Sequence, residues 1–153
     1  MARIPQKNER FRTKEQIVTD VVHLLNAPVS WGTKHAVIAE AFWVWTEFDG
    51  KYEGCRFWSQ SAWVARKEAK HLRHDHAVPK KVLFEELRGM EGRATVPGVR
   101  QLFESWCIGV VITVAEDARL TKMRLRAAMP LGWDRSDAFA RYVRAQILLK
   151  AHD

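Results

Sequence analysis

The spacing of apolar residues along the chain predicts a protein built mostly of helices. Across residues 14–26 the apolar positions fall on one broad face of a helix, which ends before Pro28. A second helix follows, with Thr33 as its capping residue and Asp49-Gly50 as the turn that ends it. Residues 51–58 fit a short strand or a loop, and both interpretations stay open.

The second half of the chain contains the clearest strand. Residues 107–114 are rich in β-branched side chains and apolar on both faces, so we expect a buried strand rather than an open edge. Thr113 and Glu116 then have the spacing of a capping box, which starts a helix directly after the strand. The remaining helices are predicted at about residues 59–73, 79–90, 97–106, 115–129 and 136–150.

These elements predict a mainly α fold of the α+β class, organised as one globular domain over residues 15–153. Residues 1–14 carry five Lys or Arg residues against Glu9 alone, so we predict a flexible basic arm. The arm fits a solvated terminus and a phosphate-contacting segment equally well.

Composition narrows the classes of partner. The chain has a net charge of +7, which makes a polyanion such as nucleic acid the first partner to consider. No stretch approaches the roughly 20 apolar residues of a membrane span, so we expect a cytoplasmic protein without a membrane partner. Cys55 and Cys107 lack the spacing of a metal site or a disulfide framework and are expected in the core.

The candidate chemistry lies in His74-Asp75-His76-Ala77-Val78-Pro79. Asp75 offers a hard carboxylate oxygen to a metal ion, and His76 an imidazole that exchanges a proton near neutral pH. The order of Asp75-His76 and Pro79, the strand at 108–113 and the helix from Ala115 resembles the HNH nucleases, whose site is a ββα-metal element. The resemblance implies a small ββα-metal-like element embedded in the helical domain.

Carried over from that family, Asp75 is the metal ligand and His76 the general base that activates water. Asp117, or its neighbour Glu116, takes the place of the further ligand in the helix. Because carboxylates are hard ligands, we expect Mg²⁺ or Mn²⁺. The basic residues expected to hold the phosphate backbone are Lys80, Lys81, Arg119, Lys122 and Arg126.

Two functions follow from these residues. The first is a metal-dependent nuclease of HNH-like type that hydrolyses phosphodiester bonds of DNA or RNA, with a metal-independent ribonuclease using His74 and His76 as a variant. The alternative is a non-catalytic basic module with a degenerate site, which binds nucleic acid or a protein partner. No Asn lies between Pro79 and Thr113, where the HNH family usually places one to orient its catalytic His, and this favours the alternative.

Overall fold

The computed structural model describes residues 12–152. Most of the predicted basic arm, residues 1–11, therefore lies outside the described residues. Within the rest of the arm, Thr13 caps the first helix through a capping box with Gln16. Arg12 forms an ion pair with Glu40 at 2.7 Å, which attaches the start of the described chain to the second helix.

Helices form most of the described chain, as the apolar spacing predicted. The first runs over the predicted residues, whereas the second is capped by Ser30, three residues before the expected Thr33. A short 3-10 helix at Ala69–His71 precedes the strand that carries the candidate chemistry. The α-helices are α1 (Lys14–Asn26), α2 (Trp31–Thr46), α3 (Gln60–Val64), α4 (Lys80–Gly89), α5 (Val96–Trp106), α6 (Val114–Lys122) and α7 (Ala140–Arg144).

A small mixed sheet brings distant parts of the chain together. Its strands are β1 (Phe57–Ser59), β2 (Leu72–His76), β3 (Gly109–Thr113) and β4 (Leu149–Ala151), in the order β2-β3-β1-β4. β3 pairs antiparallel with β2 and parallel with β1, while β4 pairs antiparallel with β1. The prediction that residues 107–114 form a buried strand is confirmed, because β3 is central in the sheet and its middle residues are fully buried.

The two faces of the sheet pack against different clusters. Val110 and Ile112 join the larger apolar core, which the helices α1, α2, α4 and α5 build around Phe42 and Phe103. Val111, on the opposite face, belongs to a smaller cluster with Cys55, Trp58, Ala62 and Leu72. Since side chains alternate along a strand, neighbouring residues of β2 and β3 enter different environments.

The helix predicted for residues 59–73 is wrong beyond Val64. α3 stops after five residues, and the chain then passes through an exposed segment into β2. The residues Leu72 to His76 have little strand propensity of their own, but all five pair with β3. Long-range pairing with a strongly β-forming partner therefore decides their conformation.

The helices predicted at 115–129 and 136–150 are both too long. α6 ends at Lys122 because Arg124 adopts a left-handed conformation with φ of 60°, and Leu125 donates back to the carbonyl of Leu120. α7 ends in the same way, with Gln146 at φ of 54°. These are Schellman ends, which usually contain glycine, so the sequence lacks the expected stop signal.

Two predictions from composition can be compared directly with the structure. Cys55 and Cys107 are both free and buried, as expected of core residues. None of the helices in residues 12–152 combines the length and the apolar character needed to cross a membrane.

Truncation of Phe42 to alanine should destabilise the fold strongly. The ring is fully buried and packs between Phe84 and Phe103 at centroid distances of 4.9 and 5.5 Å. We expect Phe42→Ala to lower the free energy of unfolding by about 3–5 kcal/mol in a denaturant titration. Val64→Ala, at a side chain that is 78% exposed, should stay within about 0.5 kcal/mol of the wild type. Equal losses in the two variants would contradict the described core.

Candidate functional site

The strand β2 separates the residues of the predicted catalytic cluster onto two faces of the sheet. Asp75 lies opposite Val110 in the register and shares the face of the larger core. His74 and His76 lie opposite Val111 and Gly109 on the other face. Because side chains alternate along a strand, the expected metal ligand and the expected general base point away from each other.

Asp75 is bound by two side chains of α7. The guanidinium of Arg141 donates to its Oδ2 atom through Nη2, and the hydroxyl of Tyr142 donates to the same oxygen at 2.7 Å. Arg141 is 1% exposed, and Tyr142 is fully buried. The positive charge beside Asp75 is therefore a buried guanidinium, held in the position where the HNH resemblance implied a metal ion.

Arg141 also connects α7 to two other parts of the chain by hydrogen bonds to backbone carbonyls. Its Nε atom donates to the carbonyl of Ala77 at 2.9 Å, and Nη2 donates to the carbonyl of His76. Nη1 donates to the carbonyl of Leu125 at 3.0 Å, just beyond the end of α6. Each terminal nitrogen and Nε thus has an acceptor, which a buried cation requires.

Asp117, the expected further metal ligand, acts on Asp75 through its charge. Burial raises the pKa of Asp75, while the charge of Arg141 and the hydrogen bond from Tyr142 act in the opposite direction. The charge of Asp117 adds to the increase in the pKa of Asp75, so the two carboxylates interact. Asp75 thus interacts electrostatically with Asp117, whereas His76 lies on the other face of the sheet.

Glu116 is a helix cap, as its spacing from Thr113 predicted. Its Oε2 atom accepts the backbone N–H of Thr113 at 2.8 Å and the hydroxyl of Ser59 at 2.6 Å. Ser59 in turn caps α3 by accepting the N–H of Ala62. One buried carboxylate thus connects the first turns of α3 and α6, and its hydrogen bonds serve the fold.

His74 and His76 form a buried pair beneath Trp43 of α2. The Trp43 ring lies 5.5 Å from the ring of His74 and 4.9 Å from that of His76, centroid to centroid. The ring nitrogens of both histidines are buried, and those of His76 have no hydrogen-bond partner among the described residues. Burial, together with the nearby His74, Lys80 and Arg141, lowers the pKa of His76 to about 3.

The absence of a side chain at Gly109 allows this packing. A Cβ atom at that position would lie 2.8 Å from Nε2 of His74 and 2.9 Å from Sγ of Cys55, closer than carbon atoms normally approach such groups. Burial, together with the charges of Glu47 and Glu53, raises the pKa of the Cys55 thiol to about 12. Neither Cys55 nor His76 is thus a charged group at neutral pH.

The basic residues predicted to hold phosphates separate into two regions. Arg119 donates to the carbonyls of Ala145 and Gln146, where it satisfies the end of α7. Lys122 is exposed at the end of α6, and Arg126 lies beyond that helix, so the three do not form one helical face. Lys80 and Lys81 lie together in the first turn of α4.

Beside Lys80 and Lys81 lies a surface groove that the sequence interpretation missed. We call it the α2–α4 groove; it has a volume of about 360 Å³. Trp31 and Arg88 contribute to it but were not among the predicted site residues. The signal that could have found it is the spacing of four residues along each helix. The lining residues are Trp31, His35, Ala39, Lys80, Lys81, Phe84, Glu85 and Arg88.

Comparisons with protein-family models, with curated proteins and with solved structures find no match to this chain. Among residues 12–152, no group of three or more His, Cys, Asp or Glu side chains is arranged to hold a metal ion. The site is therefore interpreted from its own geometry.

Removal of the charge of Asp75 should destabilise the fold, because Arg141 would remain buried without its partner. We expect Asp75→Asn to lower the free energy of unfolding by about 3 kcal/mol in a denaturant titration at neutral pH. Glu85→Gln removes the same charge from an exposed position and should have little effect. An Asp75→Asn variant as stable as the wild type would contradict the structural role of this pair.

Acid should weaken the fold through His76. In the folded protein the pKa of His76 is lowered from its ordinary value of 6.5 to about 3. The neutral imidazole therefore contributes fully to the stability of the fold above about pH 6.5, and this contribution decreases as the pH falls below that value. Between about pH 7 and about pH 5, the wild type should lose about 2 kcal/mol of unfolding free energy through this residue. Urea titrations at the two pH values measure the loss.

His76→Phe keeps a flat ring without a titrating nitrogen, so it should lose distinctly less stability over the same interval. His23→Gln, at an exposed position of α1, should behave like the wild type. The same decrease in all three proteins would show that His76 does not carry the effect.

Proposed function

We propose that this protein binds nucleic acid, DNA or RNA, as a non-catalytic module, and that the α2–α4 groove is its interface. The main support is the chemistry of the groove, where three cations accompany the aromatic rings of Trp31, His35 and Phe84. Glu85 is the single acid among the lining residues. Cations neutralise phosphates, and aromatic rings offer stacking surfaces to bases.

The charges of the described residues also favour the α2–α4 groove over the surface of α6 as the interface. Lys80, Lys81 and Arg88 extend along α4, and none of them forms an ion pair with an acid within residues 12–152. Arg119, by contrast, is hydrogen-bonded to the end of α7. Lys80 and Arg88 instead lie over tryptophan rings, so no carboxylate among the described residues neutralises the cations of the groove.

The geometry around β2 supports binding without cleavage. A metal-dependent hydrolase needs a cation and a general base on the same side of the scissile phosphate. Asp75 and His76 lie on opposite faces of the sheet, and Arg141 already occupies the cationic position next to Asp75. His76 is only 4% exposed, so water has little access to its ring.

A metal-dependent nuclease of HNH-like type is the second candidate. The observations that favour it are the antiparallel pairing of β2 with β3, with α6 directly after β3, and the interaction of Asp117 with Asp75. α4 and α5 lie between the two strands, where the HNH resemblance implies a compact ββα element. In this function, Mg²⁺ or Mn²⁺ would have to displace Arg141 from Asp75. The metal-independent ribonuclease variant requires His74 and His76 to exchange protons, and burial opposes this because it lowers the pKa of both.

Binding to labelled nucleic acid should depend on salt and leave the nucleic acid intact. If the three cations neutralise three phosphates, the affinity should fall roughly 20- to 40-fold between about 50 and 200 mM salt. Fluorescence anisotropy measures the affinity, and gel electrophoresis after incubation with Mn²⁺ or with a chelator measures cleavage. Lys81→Glu and Arg88→Glu should each weaken binding at least about tenfold, since each reverses a charge in the groove.

Lys122→Glu is the matched control, because it makes the same change of charge on α6. Its affinity should remain close to that of the wild type. Cleavage that requires Mn²⁺ and disappears in Asp75→Asn would favour the nuclease instead. Binding that does not respond to salt or to the groove variants would contradict the proposed interface and indicate a protein partner.

A further inference from the structure

The α2–α4 groove is formed by two matching stripes of side chains on antiparallel helices. On α2, Trp31, His35, Ala39 and Trp43 are spaced by four residues and therefore follow one side of the helix for about 18 Å. α4 presents a stripe of the same spacing that begins at Lys80 and continues through Phe84 to Arg88.

The two stripes end in the same arrangement, a cation over a tryptophan ring; Trp31 lines the groove itself, and Trp43 continues the α2 stripe beyond the lining residues. The Nζ atom of Lys80 lies 4.5 Å from the ring centroid of Trp43, and the guanidinium carbon of Arg88 lies 5.4 Å from that of Trp31. Lys80 begins α4, whereas Trp43 is near the end of α2, so the pairs also establish that the helices are antiparallel. Each end thus holds a flat ring next to a positive charge.

The centre of the groove is a stacked aromatic pair. The rings of His35 and Phe84 are parallel within 17°, with centroids 3.8 Å apart, and Trp31 contacts both edge-on at 6.3 Å. Phe84 is buried, but His35 is exposed. His35 therefore presents an accessible flat ring whose orientation is held by the ring beneath it.

This geometry suits unpaired bases better than a duplex. A duplex hides the faces of its bases within the stack, and its grooves are read through base edges and phosphates. A single strand exposes base faces, which stack on aromatic side chains without regard to sequence. A surface that offers flat rings beside cations is complementary to both parts of an unpaired nucleotide.

We propose that the α2–α4 groove binds single-stranded nucleic acid, with bases stacked on His35 and Trp43 and phosphates held by Lys80, Lys81 and Arg88. The inference rests on the proposed function and names its substrate class. A base that approaches Trp43 takes the ring face covered by the ammonium of Lys80. The ammonium then moves from the ring to a phosphate of the same strand, so stacking and charge neutralisation occur together.

The test compares a fluorescently labelled oligothymidylate of about 12 nucleotides with a duplex of the same length, at one salt concentration. The wild type should bind the single strand more tightly. His35→Ala removes an exposed ring without changing the net charge and should weaken single-strand binding about tenfold, with little effect on the duplex. His35→Phe keeps a flat ring and should retain the wild-type affinity.

His23→Ala, which changes an exposed histidine of α1 outside the groove, is the matched control and should bind like the wild type. Circular dichroism of each variant verifies that the fold is retained. The His35 variants are expected to fold, because His35 is not part of the buried core.

Equal binding of single strand and duplex, with no effect of His35→Ala, would overturn the single-strand inference. If, with that result, Lys81→Glu lost affinity for both the single strand and the duplex, the proposed nucleic-acid function would still hold. Failure to bind either nucleic acid would reject the proposed function together with this inference. Displacement of the oligothymidylate by polyglutamate at equal charge concentration would also overturn the single-strand inference, since this result would show that the groove recognises charge alone.

Discussion

The buried guanidinium of Arg141 is the constraint on which the arrangement of the C-terminal half depends. It binds the carboxylate of Asp75, two carbonyls at the end of β2 and the carbonyl that follows α6. A buried charge without partners is very unfavourable, so β2, the end of α6 and α7 must adopt positions that satisfy it together. The same residue decides the chemistry, because it provides the positive charge next to Asp75.

The sheet then divides the residues that seemed to form one cluster in the sequence. Asp75 faces the larger core with Arg141 and Tyr142, while His74 and His76 face Trp43 on the other side. The histidines contribute to the groove only indirectly, as neutral rings that pack under Trp43. Lys80 lies over the accessible side of that tryptophan, so the end of β2 and the beginning of α4 connect the core to the α2–α4 groove.

Features that depend on local patterns could be predicted from the sequence. These include α1 with its apolar face, the buried strand β3, and the capping box of Thr113 and Glu116. Features that depend on distant partners could not. β2 is a strand only because β3 pairs with it, and the left-handed conformation of Arg124 has no glycine to signal it.

The residues of the candidate site also divide into those with a local signal in the sequence and those that depend on distant partners. Adjacency in sequence suggested that Asp75 and His76 act together, but a strand places adjacent side chains on opposite faces. The partner of Asp75 lies 66 positions further along the chain, and no local pattern indicates that pairing. The stripe of Trp31, His35 and Trp43 on α2 is visible in the sequence as a spacing, whereas its alignment with α4 depends on the packing of the two helices.

Chemical-shift mapping by NMR tests the central claim most directly, since it shows where nucleic acid contacts the protein and whether a metal is needed. Oligothymidylate added in the presence of a chelator should shift the amide signals of α2 and α4 around His35 and Lys81, and leave those around Asp75 and Asp117 unchanged. Shifts that appear only after Mg²⁺ is added, and that centre on Asp75 and Asp117, would contradict the account.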